Sequence, residues 1–146
     1  MTQSFQLDTR LVNDTVKLGE SRLNLLLLLN DQRYPWCILV PKVVNVTEIF
    51  QLSDAQQLQL IIESSELAKA LTETFKPDKI NIGALGNIVS QLHLHHLARH
   101  KDDPAWPSPV WGHSPAIGYT TDELTVVIEK LHNSSLQHTF DFSANL

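Results

Sequence analysis

The chain of 146 residues has the length of one ordinary domain, and its hydrophobic fraction of 42% suffices for a packed core and excludes a disordered chain. A net charge of -5 argues against a broad polyanion-binding face, because nucleic-acid binders carry a basic one; a small phosphate-bearing ligand needs only a few local donors. The single cysteine, Cys37, excludes an internal disulfide framework and a zinc–thiolate cage and fits a reducing cytoplasm.

Residues 1–5 show no basic segment followed by an apolar block, so no signal peptide is expected. Residues 8–13 suit a short helical turn. Two strands are predicted at 15–18 and 23–29, joined as a hairpin through Gly19-Glu20. The second carries the longest apolar run, five leucines at 25–29, which reads as a core strand and is far short of the about 20 residues needed to cross a bilayer. A third strand at 36–40 lies between Pro35 and Pro41.

The clearest helix is 54–75. Ser53 can cap it, Gln56 completes a capping box, and Pro77 stops it. Leu58, Ile61, Ile62, Ala68, Leu71 and Phe75 recur at helical spacing and are expected to form its buried stripe. A short strand at 79–82 precedes a loop at 83–87, where Gly83 and Gly86 permit unusual backbone angles. Residues 88–99 read as a strand, with Ile88, Leu92, Leu94 and Ala98 on one face and Val89, Gln91, His93, His95 and Leu97 on the other. A Pro/Trp-rich segment at 102–115 follows. A last helix spans 122–132, with Thr120 and Glu123 at capping-box spacing and an apolar stripe of Leu124, Val127, Ile128 and Leu131. The order implies an α+β fold: an antiparallel sheet with one long and one C-terminal helix, forming one domain over 1–146 on which 102–146 packs as an extension.

Three of the seven histidines fall within four positions. On a strand His93 and His95 share a face about 6.6 Å apart, and His96 points the other way. Two imidazoles on an apolar strand need polar partners. Imidazole titrates near neutrality, so one ring can attack a phosphorus as a neutral nucleophile while the other donates to an oxygen. Such a pair also has a structural reading. It has a metal reading too, with His100 and His113 as further imidazoles, but a metal site wants three or four convergent ligands, and none is assigned. Asn30 and Asn87 also suit turns, Arg99 suits a carboxylate as readily as a phosphate, and Trp106 and Trp111 suit core or interface anchors as well as base stacking.

The segment 86–99, Gly-Asn-Ile-Val-Ser-Gln-Leu-His-Leu-His-His-Leu-Ala-Arg, resembles the signature strand of the histidine triad (HIT) superfamily, His-φ-His-φ-His-φ-φ with φ apolar. Asn30-Asp31, the run from Pro35 to Lys42, and Asn81 resemble further family positions. The likeness covers roughly residues 14–99, and the chain resembles a branch of bacterial proteins of this superfamily often described as similar to diadenosine tetraphosphate hydrolases. It implies a homodimer in the cytoplasm that cleaves a nucleotide at its α-phosphate through a nucleotidyl-histidine intermediate. The implied substrate is a dinucleoside polyphosphate or a nucleoside phosphoramidate; no cofactor, nucleic-acid polymer or membrane is implied. By the same likeness His93 is the nucleophile and His95 the phosphate contact and proton donor. Asn30, Asn87, Gln91 and Arg99 fall at nucleotide- or phosphate-binding positions. Gln91 replaces the first triad histidine, and Trp36 replaces the histidine of the family's Pro-Gly-His, so the two are expected to be lost as a unit. The orienting group from the first position is a backbone carbonyl, which survives the change to Gln. The alternative is a nucleotide-binding or sensing protein with weak or no catalysis.

Overall fold

The computed structural model describes residues 2–145. Its elements run α1 (Thr9–Asp14), β1 (Thr15–Glu20), β2 (Asn24–Leu29), β3 (Trp36–Pro41), α2 (Asp54–Phe75), β4 (Lys79–Gly83), β5 (Leu94–Arg99) and α3 (Thr121–His132). The strands form one antiparallel sheet in the order β1-β2-β3-β5-β4. This is the α+β architecture the sequence implies.

Both faces of the central strands are covered, which is why the leucine run shows no polar alternation. Leu26 and Leu28 pack with Leu39, Leu60, Leu67 and Leu71 under α2. Leu25 and Leu27 face the other way and pack with Ile38, Val40, Leu97, Ala105 and Val110. The segment after β5 serves both cores, since Leu131, Leu136 and Phe140 join the α2 side. Among the described residues no helix is long and apolar enough to cross a membrane.

Three expectations are corrected. The hairpin does not turn at Gly19-Glu20: β1 runs through both residues, with a register irregularity between Lys17 and Gly19. A Cβ on Gly19 would lie 2.6 Å from the Asp141 carbonyl oxygen, so this glycine serves a close approach rather than a turn. There the chain's C-terminal part clips onto the sheet edge, through Glu20 N–H to Asp141 O (3.1 Å) and Asp141 N–H to Glu20 O (2.7 Å).

The signature strand is shorter than predicted. Residues 88–93 are not strand, and β5 begins at Leu94. Gly86 takes a positive φ of 74°, and the Leu92 N–H bonds to Val46 O at 2.9 Å instead of extending the ladder. The alternation of faces still holds from Leu92 to Leu97, for Leu92 and Leu94 belong to the α2 side and Leu97 to the other. Gly83, unlike Gly86, has no positive φ.

The buried stripe of α2 shares Leu71 with the expected one, and Phe75 packs at its edge, but the rest runs through other positions. Leu60, Glu63, Ser64, Leu67, Ala70 and Leu71 are buried, while Leu58, Ile61 and Ile62 are 61%, 57% and 44% exposed. Two polar residues on the buried face hid it from hydrophobic periodicity. Each meets a buried polar partner on the sheet: Asn24 Nδ2 donates to Glu63 Oε1 (3.2 Å), and Ser64 Oγ lies 2.7 Å from His96 Nε2. Both predicted capping boxes, Ser53/Gln56 on α2 and Thr120/Glu123 on α3, are formed.

Candidate active site

The register of β3, β5 and β4 places the histidines. His95 lies opposite Ile38 on β3 and opposite Gly83 on β4, and Trp36 sits diagonally across from it, on the same face. His93, just before β5, brings its ring to 4.9 Å from that of His95, centroid to centroid. The two rings line a cleft of about 540 Å³. Arg10, Leu11 and Asp14 of α1 form one side, the loop 85–89 another, and Val110, Trp111 and Ser114 of the C-terminal segment a third.

Each ring has a defined hydrogen-bonding state. His93 Nδ1 lies 2.6 Å from the carbonyl oxygen of Gln91. A carbonyl only accepts, so Nδ1 carries a proton, and in the neutral ring Nε2 keeps its lone pair. His95 is the reverse: the Trp36 indole Nε1–H donates to its Nδ1 at 2.9 Å, so the neutral ring carries its proton on Nε2. Burial pushes His95 down to about 3, and the neighbouring His93 and His96 push it the same way. Trp36 and Trp111 stand edge-on to the His95 ring, both at 5.5 Å. Gly83 makes room for this: a Cβ there would lie 3.2 Å from the Trp111 ring. His96 points to the opposite face. Its Nδ1–H donates to Leu94 O (3.1 Å) and its Nε2 accepts from Ser64, and burial holds it down at about 4.

The other sequence-derived positions are dispersed. Asn87 lines the cleft. The Gln91 side chain turns away from the histidines, accepting from Asp8 N–H (2.9 Å) and donating to Gln6 O (2.9 Å). Trp36 and Gln91 therefore do not act as the expected unit, since Trp36 pairs with His95. Asn30 does not line the cleft; its Oδ1 accepts from Tyr119 N–H at 2.9 Å and anchors the C-terminal segment. Arg99 is buried away from the cleft. It binds Asp103 through two nitrogens (2.7 and 3.0 Å), Asn81 Oδ1 (2.8 Å) and Ser108 O (2.9 Å). Its guanidinium lies between the Tyr34 and Trp106 rings, 5.8 and 5.7 Å from their centroids. His100 bonds to Phe75 O and His113 to Ser114, and among the described residues no group of three His, Cys, Asp or Glu converges as a metal site.

Sequence reasoning noted Asp31 only as part of the family likeness, gave it no site role, and missed Arg33. Both line the cleft, and Asp31 is buried and held by Arg33 Nε (2.9 Å) and Nη2 (2.8 Å), while Arg33 Nη1 donates to Ser114 Oγ. The spacing Asp31-x-Arg33 was the available signal, but a pair two residues apart is common in turns.

The cleft can therefore present a lone pair on His93 and an N–H on His95 to one phosphate, with apolar surface from Leu29, Ile38 and Val110 beside them. Residues 10–102 match the HIT domain. A histidine triad protein from Marinobacter aquaeolei is 52% identical, with a TM-score of 0.87 over 88% of this chain and 94% of its own. One from Bradyrhizobium japonicum is 42% identical, with a TM-score of 0.87 over 89% and 97%. One from Sinorhizobium meliloti is 39% identical, with a TM-score of 0.85 over 97% of each. No curated protein matches the chain. A histidine pair at this point of this sheet, with relatives so similar along nearly their whole length, identifies the chain as a member of the histidine triad family.

Proposed function

We propose that this protein is a nucleotide phosphohydrolase or nucleotidyl transferase that cleaves at the α-phosphate, acting on a dinucleoside polyphosphate or a nucleoside phosphoramidate. The observation that carries this reading is the opposite tautomers of His93 and His95 at one cleft. His93 Nε2 attacks phosphorus and holds the nucleotidyl group as a phospho-imidazole; water or another acceptor then releases it. The Gln91 carbonyl stabilises the positive charge that develops on the His93 ring. His95 Nε2–H and Asn87 contact the phosphate. Asn30 and Arg99 act indirectly, by holding the C-terminal segment that walls the cleft.

The working form is a homodimer. Leu58, Ile61 and Ile62 on α2 and Ile82 on the edge strand β4 leave apolar side chains exposed, where a second copy would cover them. Cys37 is fully buried, and its thiol is pushed up to about 12, so it is inert in the reducing cytoplasm we assign to the protein.

The test is acid-quenched mass spectrometry during turnover of diadenosine tetraphosphate and adenosine 5′-phosphoramidate. A nucleotidyl adduct on His93 supports the mechanism; turnover by His93→Ala sinks it. A second reading, a nucleotide-binding protein with weak or no catalysis, is favoured by the Gln91 side chain, which is tied to residues 6 and 8 and leaves the first triad position empty of imidazole. Tight nucleotide binding without turnover or adduct would establish it.

A further inference from the structure

A bond from Trp36 decides what His95 can give to a reaction. An imidazole normally has two options: it can hold its one proton on either nitrogen, or it can take a second and become a charged acid. At His95 both are restricted. Its Nδ1 accepts the Trp36 indole N–H at 2.9 Å, and an indole nitrogen has no acceptor capacity to offer in return. A proton on Nδ1 would face that N–H directly. The indole cannot swing aside freely: Trp36 is buried, and its ring is wedged edge-on against Tyr34 (6.3 Å), Trp111 (6.2 Å) and His95 (5.5 Å). The groups around the ring offer no compensation for a positive charge. They are His93, Ile38, Gly83, Trp36 and Trp111, with His96 behind the strand, and among the described residues no carboxylate bonds to it. Two carboxylates line the same cleft, Asp31, which is engaged by Arg33, and Asp14, 3.9 Å from Arg10; neither hydrogen-bonds to the His95 ring.

We infer that Trp36 is a positioning residue that fixes His95 as a neutral Nε2–H donor, and that the site therefore favours substrates whose leaving group departs as a stable oxyanion, a phosphoric anhydride rather than a phosphoramidate. This rests on the proposed hydrolase or transferase reading and narrows its substrate class. In the first step His93 Nε2 forms the bond to the α-phosphorus, and the bond from phosphorus to the leaving atom breaks, its electron pair leaving with that atom. The His93 ring becomes a cation, with its Nδ1–H still on the Gln91 carbonyl. His95 offers a hydrogen bond to an oxygen. To offer its proton outright it would have to become an imidazolate, which is a far stronger base than a departing polyphosphate. A phosphate or polyphosphate needs no proton to leave. An amine or an alkoxide does, and this ring does not hold a spare one. The low titration of His95, about 3, agrees with the geometry.

The direct test is long-range proton–nitrogen NMR on the full-length, nitrogen-15-labelled protein from about pH 5 to 8, a range that spans ordinary imidazole titration. His95 is assigned by its loss in His95→Asn. A neutral ring protonated on Nε2 throughout is expected; an Nδ1–H tautomer or a doubly protonated ring overturns the inference, whatever the activity. The second arm compares kcat/KM for diadenosine tetraphosphate and adenosine 5′-phosphoramidate. The native protein should prefer the anhydride. Trp36→Phe keeps an aromatic ring but removes the donor, and should shift the ratio toward the phosphoramidate by about tenfold, roughly 1.4 kcal/mol. An unchanged ratio, or a native preference for the phosphoramidate, overturns the substrate assignment. Should Trp36→Phe not fold, the native spectrum and the native preference decide. Absence of turnover on both substrates, with the Nε2–H tautomer present, removes the hydrolase reading and the substrate assignment with it, yet leaves the role of Trp36 standing.

Discussion

The carbonyl oxygen of Gln91 lies 2.6 Å from Nδ1 of His93, while the Gln91 side chain points away to Gln6 and Asp8. The orienting function of this position is thus separated from its side chain. Gln91→Ala keeps the carbonyl and should leave kcat/KM within about threefold, because the interaction that sets the His93 tautomer is unaltered. It loses two hydrogen bonds to the N-terminal segment and should cost stability, about 1 kcal/mol per bond. His93→Ala should do the opposite, abolishing turnover with a small change in melting temperature. Steady-state kinetics beside thermal melts separates the two. A Gln91→Ala protein as inactive as His93→Ala would mean that the side chain itself takes part.

Stability should fall as the pH drops through the range of ordinary imidazole titration. His95 and His96 are held down at about 3 and about 4 from an ordinary value of 6.5. Between those values and 6.5 the unfolded chain binds protons that the native state refuses, so unfolding free energy rises with pH through that window. The stabilisation is complete above 6.5 and is lost progressively below it, with a slope of at most about 1.4 kcal/mol per pH unit for each ring. Urea unfolding across the pH range reads this out. His96→Asn should be less stable overall and should flatten the slope by up to one proton. A profile flat between pH 4 and 6.5 would show that both rings charge in the folded state.

Much of this was legible in the sequence because local chemistry and global fold agree there. The Ser53 and Thr120 caps, the proline-bounded β3 and the two-face logic of His93, His95 and His96 all rest on contacts a few residues apart. What failed depends on partners far along the chain. Gly19 looks like a turn until Asp141 arrives against it; Arg99 looks like a phosphate ligand until Asp103 and Asn81 claim it. Asn30 is spoken for by Tyr119, 89 residues on. The bond from Trp36 to His95 joins two neighbouring strands that lie far apart in sequence, and no periodicity announces it. The C-terminal segment fixes three of these positions, and it lies largely beyond the region that resembles the family motif.

The phase of α2 can be checked by a pair of truncations. Leu60 is buried against the sheet, and Leu58, two residues away, is 61% exposed. Leu60→Ala should cost about 2–5 kcal/mol through lost transfer energy and the cavity left behind. Leu58→Ala should change the unfolding energy of the isolated chain by less than about 0.5 kcal/mol. A loss at Leu58 that grows with protein concentration would locate that side chain in a contact between copies, as the proposed dimer requires. Equal losses at both positions, independent of concentration, would contradict the burial pattern.

Arg99 should prove to be a residue of stability, not of substrate affinity. Its guanidinium is buried and satisfies Asp103, Asn81 and the Ser108 carbonyl together. Burial pushes the Asp103 carboxyl up, but hydrogen bonds from Arg99 and from the His100 and Trp106 backbone bring it below its ordinary value. Removing the cation leaves that carboxylate buried and unpaired. Arg99→Ala should therefore destabilise the protein by about 3–5 kcal/mol, and Asp103→Asn by a comparable amount. Lysine cannot reproduce the fork, so Arg99→Lys should recover only part of the loss. The salt dependence of KM is the discriminating measurement. If Arg99 met a phosphate directly, its loss would raise KM steeply and weaken the response of KM to salt. As a clamp on residues 103–108 it should leave both nearly unchanged in whatever fraction remains folded.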